Sequence, residues 1–255
     1  MKALRAAGKL LRGLLHLLAG FWTVSLRFRR MPPSHREAYV QAWSQQLLAL
    51  WGVQLQVRGA PPHAGPVLLV ANHISWLDIL VMHAARYCRF VSKADVRHWP
   101  VIGVLAAGAG TLFIERASSR DALRVVHHMA EALQQGEVVA VFPEGTTGDG
   151  VHLLPFHANL LQAAVTTGAP VVPVALSFVD AATRQRSAAP SFVGDETLLG
   201  SVWRTLTAPG IIAVVSFGEP QWADGRSRRI WSRDLREAVE RLRQADSALS
   251  AAKKL

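Results

Sequence analysis

Asn72 and His73 stand between an apolar run, Val67–Ala71, and a helix-like stretch, Trp76–Ala85, whose third residue is Asp78. An imidazole that meets a carboxylate can act as a general base. The carboxylate fixes the ring tautomer and stabilises the imidazolium, while the other nitrogen takes a proton from a substrate hydroxyl. The spacing limits how the two can meet. On one straight helix, residues five apart lie about 140° from each other, on different faces. His73 therefore has to sit on the turn before the helix, with Asp78 in its first turn. Ser75 as N-cap would put Asp78 at the third helical position. Ser-x-x-Asp before an apolar run is equally a capping signal, in which the carboxylate serves only the helix N-terminus. Spacing alone leaves both readings open.

Two further stretches carry polar groups at the ends of apolar runs. Gly110-Thr111-Leu112-Phe113-Ile114-Glu115-Arg116 reads as a strand that ends in a cation. Phe142-Pro143-Glu144-Gly145-Thr146-Thr147-Gly148-Asp149-Gly150 reads as a strand opening into a glycine-rich turn. Backbone N–H groups exposed on such turns suit an anion or a developing oxyanion. Read separately, Arg116 is as easily a solvated strand end and the glycine cluster an ordinary loop. In a parallel sheet the three ends would share one edge, where open α/β sheets carry their sites. The chain has no Gly-x-Ser-x-Gly elbow, no Gly-x-x-x-x-Gly-Lys loop and no His-Glu-x-x-His helix.

The positioning elements are legible as alternating apolar runs and helical stretches. Val53–Arg58, Val67–Ala71, Phe90–Ser92, Thr111–Ile114, Val138–Phe142, Val171–Leu176 and Ile211–Phe217 read as strands. Trp76–Ala85, Arg120–Gln135, Ala158–Thr167 and Trp231–Leu249 read as helices. The alternation predicts an α/β class: a mixed, largely parallel sheet flanked by helices. Ala181–Pro209 has no clear period and is expected to be an irregular excursion over one face. With 255 residues, one catalytic domain over 51–255 is expected, preceded by a segment over 1–50.

That N-terminal segment is basic and apolar. Lys2, Arg5, Lys9, Arg12, Arg27, Arg29, Arg30 and Arg36 all precede the first acidic residue, Glu37, in a chain of net charge +10. Gly13–Leu26 between them is apolar but short of the roughly 20 residues that span a bilayer. A helix lying in the interface is expected, with basic groups at headgroup level, followed by an amphipathic helix over Glu37–Leu50. A short spanning helix, a signal peptide without a small-residue cleavage site, and a buried core helix are the rival readings. Cys88 is the only cysteine, which suits a reducing compartment. Nothing beyond charge supports nucleic-acid binding.

In this order the stretches resemble the glycerolipid acyltransferase family. The N-H-x-x-x-x-D block is matched by Asn72, His73 and Asp78. The G-x-x-F-I-x-R block is matched by Gly110, Phe113, Ile114 and Arg116. Phe142–Thr146 matches F-P-E-G-T, and Val171-Val172-Pro173-Val174 matches an apolar block around a proline. The resemblance covers about Leu50 to Pro220. It implies transfer of an acyl group from acyl-CoA or acyl carrier protein to the free hydroxyl of a lysophospholipid, first of all 1-acyl-sn-glycerol-3-phosphate, without an acyl-enzyme. It also implies no cofactor or metal. His73 would be the base and Asp78 its orienting partner. Asn72, Gly110, Phe113, Arg116, Glu144, Gly145, Thr146, Thr147 and Pro173 would form the substrate site. The resemblance further implies a two-helix segment resting on an anionic membrane, at the cytoplasmic face. One departure stands out: where phosphatidate-forming members usually carry Arg, a natural phosphate clamp, this chain has Thr147. That makes lyso-ornithine lipid an alternative acceptor. A catalytically inactive lipid-binding protein and a hydrolase that activates water with the same pair are the competing classes.

Overall fold

A computed structural model describes residues 1–114 and 119–252 of the chain. Seven strands make one sheet: β1 (Val53–Arg58), β2 (Val67–Ala71), β3 (Arg89–Lys93), β4 (Leu112–Ile114), β5 (Val138–Val141), β6 (Val171–Asp180) and β7 (Ile211–Phe217). Their order is β1-β7-β6-β2-β5-β3-β4, and every neighbouring pair is parallel except the antiparallel β6–β7. The central strands are near-continuous Val, Leu and Ala because both faces are covered. Leu69, Ala71, Val172 and Val174 face one core, and Leu68, Val70, Val171 and Ala175 face the other.

The first core is closed by α2 (Pro33–Trp51) and α3 (Leu77–Ala85), and the second by α5 (Ser119–Gln134), α6 (Gln162–Thr167) and α8 (Arg228–Ala252). Beyond α2 lies α1 (Lys2–Arg27), longer than the expected Gly13–Leu26 and about 39 Å at 1.5 Å per residue. Gly13 and Gly20 let it press onto α2: a Cβ added there would lie 2.3 Å from Trp51 Nε1 and 2.6 Å from Trp43 Nε1. Trp43 also stacks on His16, with ring centroids 4.9 Å apart. The helix α2, expected to be amphipathic, buries one stripe and leaves Ala42, Gln45, Gln46 and Ala49 exposed. It is sandwiched between α1 and α3, with Val40, Leu47, Leu48 and Trp51 buried.

Two helices lie where none is evident in the sequence. α4 (Ile102–Gly108) is only seven residues, too short to show a period. α7 (Leu198–Thr207) falls inside the stretch expected to be irregular, started by Thr197, whose hydroxyl accepts from the Gly200 N–H at 3.2 Å. Among the described residues no helix is long and apolar enough to cross a membrane.

Candidate active site

The end of β2 turns directly into α3, and this turn brings His73 onto Asp78. His73 Nδ1 lies 2.8 Å from Asp78 Oδ2, and the same oxygen accepts from the N–H groups of Ile74 at 2.6 Å and Ser75 at 2.9 Å. Three donors converge on one carboxylate oxygen in a fully buried residue, so the carboxylate cannot swing. The two readings of this spacing turn out to be compatible. The regular helix starts at Leu77, yet Ser75 Oγ still accepts from the Leu77 N–H at 3.2 Å while Asp78 reaches back to the Ser75 N–H. That pair resembles a capping box, with the Ser75 hydroxyl on the N–H one residue before Asp78. The cap holds the carboxylate, and the carboxylate holds the imidazole. With Nδ1 engaged, Nε2 is the nitrogen left for a substrate hydroxyl, on a side chain 18% exposed.

The turn after β5, the neighbour of β2, fixes the other side of His73. Glu144 Oε1 accepts from the His73 N–H at 2.8 Å, its Oε2 accepts from the Leu154 N–H at 2.8 Å, and the Gly148 N–H donates to the His73 carbonyl at 2.8 Å. Burial pushes the Glu144 carboxyl above the usual carboxylate range, against the pull of the two N–H groups. Phe142, the residue after β5, stacks flat on the His73 ring, with centroids 4.0 Å apart and planes 6° apart. Phe90 of β3 stacks behind Phe142 at 5.4 Å, and buried His83 meets Phe90 edge-on at 5.1 Å. Away from solvent, His83 is held neutral, its pKa lowered to about 4 by desolvation. The His73 ring is therefore backed by an apolar aromatic wall.

The other residues expected at the site divide. Gly145 and Thr146 lie exposed on the turn beside His73, and Gly145 takes φ +74°, where a side chain is disfavoured. A Cβ there would also lie 3.1 Å from the His157 ring. Glu144 is buried, and each of its oxygens accepts from a backbone N–H group. Asn72 is buried, and its amide extends the β2–β6 ladder: it accepts from Leu176 N at 2.7 Å and donates to Leu176 O at 3.0 Å. The Thr147 hydroxyl donates to the Phe192 carbonyl. Gly110 belongs to the opposite end of the sheet, ahead of β4, where its carbonyl accepts from Arg89 Nε at 2.6 Å. Pro173 is level with Val70 on β2 and shares the α8 side of the sheet with Val171 and Ala175. A proline is tolerated there because the antiparallel ladder to β7 begins one residue later. Phe113 is half-buried on the edge strand β4. Arg116 lies outside the described residues.

Residues with no separate signal complete the frame. Ser75 Oγ donates to the Pro190 carbonyl, and the Phe192 N–H donates to the Ile74 carbonyl at 3.1 Å. The stretch before α7 is thus strapped across the His73 turn. Arg243 of α8 binds the Gly150 and Val151 carbonyls, and Arg186 binds the Asp149 carbonyl at 2.8 Å, holding the far end of the glycine-rich loop. Among the described residues no three His, Cys, Asp or Glu side chains are grouped to hold a metal.

Residues 54–177, which include His73, Asp78 and the turn after β5, match the family described as Acyltransferase. A 1-acyl-sn-glycerol-3-phosphate acyltransferase of Neisseria gonorrhoeae is 40% identical over 186 residues, 72% of this chain and 72% of that one. This chain belongs to the acyltransferase family. A lyso-ornithine lipid O-acyltransferase of Pseudomonas aeruginosa is 37% identical to the acyltransferase over 224 residues, 85% of this chain and 83% of that one. The crystal structure of the 1-acyl-sn-glycerophosphate acyltransferase PlsC from Thermotoga maritima shares the fold, with a TM-score of 0.63 at 22% identity, over 95% of this chain and 98% of that one.

Proposed function

We propose that the enzyme acylates the free hydroxyl of a lysophospholipid, first of all 1-acyl-sn-glycerol-3-phosphate, giving phosphatidate, with acyl-CoA or acyl carrier protein as donor. The observation that carries this reading is the 2.8 Å contact between His73 Nδ1 and a carboxylate pinned by two further donors. His73 Nε2 takes the hydroxyl proton as that oxygen attacks the thioester carbonyl. The tetrahedral adduct then collapses, the C–S bond breaks, and the leaving thiolate takes the proton back from the imidazolium. The Gly145 N–H is given to the Phe142 carbonyl at 3.1 Å, so on this exposed turn the Thr146 N–H is the backbone donor offered to the developing oxyanion. The two oxygens of Glu144 keep that turn and the His73 turn in register, a positioning role.

A second acceptor, an amino-acid lysolipid such as lyso-ornithine lipid, is favoured by one observation. Thr147 stands where a guanidinium would clamp phosphate, and its hydroxyl is spent on the Phe192 carbonyl. In the same reading α1 lies in the cytoplasmic face of an anionic membrane, where the acceptor resides.

The test supplies purified enzyme with a labelled thioester donor and a mixed pool of lysophosphatidate and lyso-ornithine lipid, and identifies the acylated product by mass spectrometry. Phosphatidate as the main product supports the first acceptor, and acylated ornithine lipid the second. Free fatty acid alone indicates a hydrolase, and no reaction indicates a lipid-binding protein. His73→Ala is expected to abolish transfer without changing liposome binding.

A further inference from the structure

Seven large apolar side chains of α1 point away from the protein: Leu4, Leu11, Leu14, Leu15, Leu18, Trp22 and Leu26. At 100° per residue they fall within about 120° of the helix circumference. Lys2, Arg5, Lys9, Arg12 and Arg27 fill the sector between this stripe and the face that packs on α2. A lone cylinder in the interface is free to roll about its own axis, so α1 by itself would tether the enzyme without aiming it.

Two neighbours flank it. Lys9 Nζ donates to the Leu206 carbonyl at 3.5 Å, which sets α7 beside the N-terminal half of α1. Gly20 faces Leu105, and Gly108 faces Val24, which sets α4 beside the C-terminal half. Each neighbour also leaves apolar side chains uncovered. On α7, Leu199 and Trp203 are one turn apart on one face, 79% and 41% exposed, while Ser201 and Thr205 on the opposite face are buried. Beside α4, Trp99 and Ile102 are exposed.

We infer that Leu199 and Trp203 of α7, with Trp99 and Ile102 at α4, extend the α1 stripe into a docking plane for an anionic lipid bilayer. The occupant is chosen by charge and continuity. Residues 1–36 hold eight Lys and Arg and no Asp or Glu. Arg97 and His98 adjoin Trp99, and such a basic collar around apolar side chains suits acidic headgroups. Contacts beside both the N-terminal and the C-terminal half of α1 add support away from its own axis and set the angle at which the sheet edge bearing His73 meets the membrane. The same α7 is tied to that edge, because Trp76 Nε1 donates to Ser201 Oγ at 3.1 Å and the stretch before α7 is strapped to Ser75 and Ile74. This rests on the interfacial reading of α1 and adds to it a second line of contact, in residues distant in sequence.

The experiment uses the full chain and vesicles of phosphatidylcholine with phosphatidylglycerol. Leu199→Cys is labelled with an environment-sensitive fluorophore, with Leu123→Cys on α5 labelled as the control. Cys88 is fully buried and stays unlabelled. The expected result is a blue shift on vesicle addition at position 199 and none at 123. Leu199→Ser with Trp203→Ser is expected to weaken vesicle partition about tenfold. Turnover of a dispersed short-chain acceptor should not change. Partition that falls with Leu11→Ser, Leu15→Ser and Leu18→Ser but is unmoved by the α7 pair, with a silent label at 199, would overturn the docking plane and leave the α1 reading standing. A wild-type chain that ignores anionic vesicles would overturn both. A shift at 199 that tracks protein concentration without lipid would assign the face to a second copy and overturn the proposal.

Discussion

Asp78→Asn separates a carboxylate that works from one that only caps a helix. Three donors meet at Oδ2: His73 Nδ1 and the N–H groups of Ile74 and Ser75. An asparagine NH2 cannot occupy that position, since it would face three donors, so the amide oxygen takes it. The amide nitrogen then falls where Oδ1 was, an atom with no hydrogen-bond partner in the structure. The turn, the cap and the imidazole tautomer are thereby preserved, and what disappears is the negative charge. With Nδ1 and Oδ2 at 2.8 Å and both charges spread over their groups, the imidazolium loses about 4 kcal/mol of attraction at an effective dielectric near 20. At about 1.4 kcal/mol per tenfold in rate, that predicts a fall in kcat of about a thousandfold. KM for the acceptor should stay within about twofold, because the carboxylate is buried beneath the ring, away from substrate. Unfolding in denaturant should move by only about 1–2 kcal/mol, since a buried charge is removed while one buried NH2 loses water. Asp78→Ala, which strands all three donors, should cost several times more. The decisive assay is steady-state transfer beside urea unfolding of the same preparations. An Asp78→Asn enzyme retaining more than a tenth of wild-type kcat would show that the carboxylate is only a cap.

Three further outcomes follow from the packing. Glu144 has its pKa raised by burial, so its contribution to stability is present at low pH and lost as pH rises through the folded value. Urea unfolding between pH 4 and 7 should show that loss in the wild type relative to Glu144→Gln, and identical slopes would refute it. Gly13→Ala should lower stability by about 1–3 kcal/mol, as its Cβ would press on the Trp51 indole. Gly8→Ala has open space and should be neutral or stabilising in a thermal melt. Cys88, with its thiol pushed up by burial, should ignore a disulfide reagent in the native state and react only as the chain unfolds.

Much of this enzyme is written in local residue order. The alternation of apolar runs and helices specified the layered α/β class, and the seven strands appear where the runs are, with ends shifted by a few residues. His73 and Asp78 could be named because a strand, a turn and a first helical turn are all contiguous in the chain. What the sequence left ambiguous was whether Asp78 caps or orients. The structure removes the choice, because one oxygen does both. Roles that depend on neighbours far along the chain are not legible in residue order. Glu144, Asn72 and Thr147 look like ligands for a substrate when read in line. Strand order brings the His73 and Leu154 N–H groups, the Leu176 backbone and the Phe192 carbonyl to them instead. Gly110 was assigned to the site by its place in a block, but it precedes its strand and so falls at the opposite edge of the sheet. Phe142 gained a flat contact with His73 only because β5 lies next to β2. Periodicity and capping act within a few residues, so sequence displays them. Which strand lies beside which is settled by burying both faces of the sheet at once, and only that packing decides which polar groups remain for the substrate.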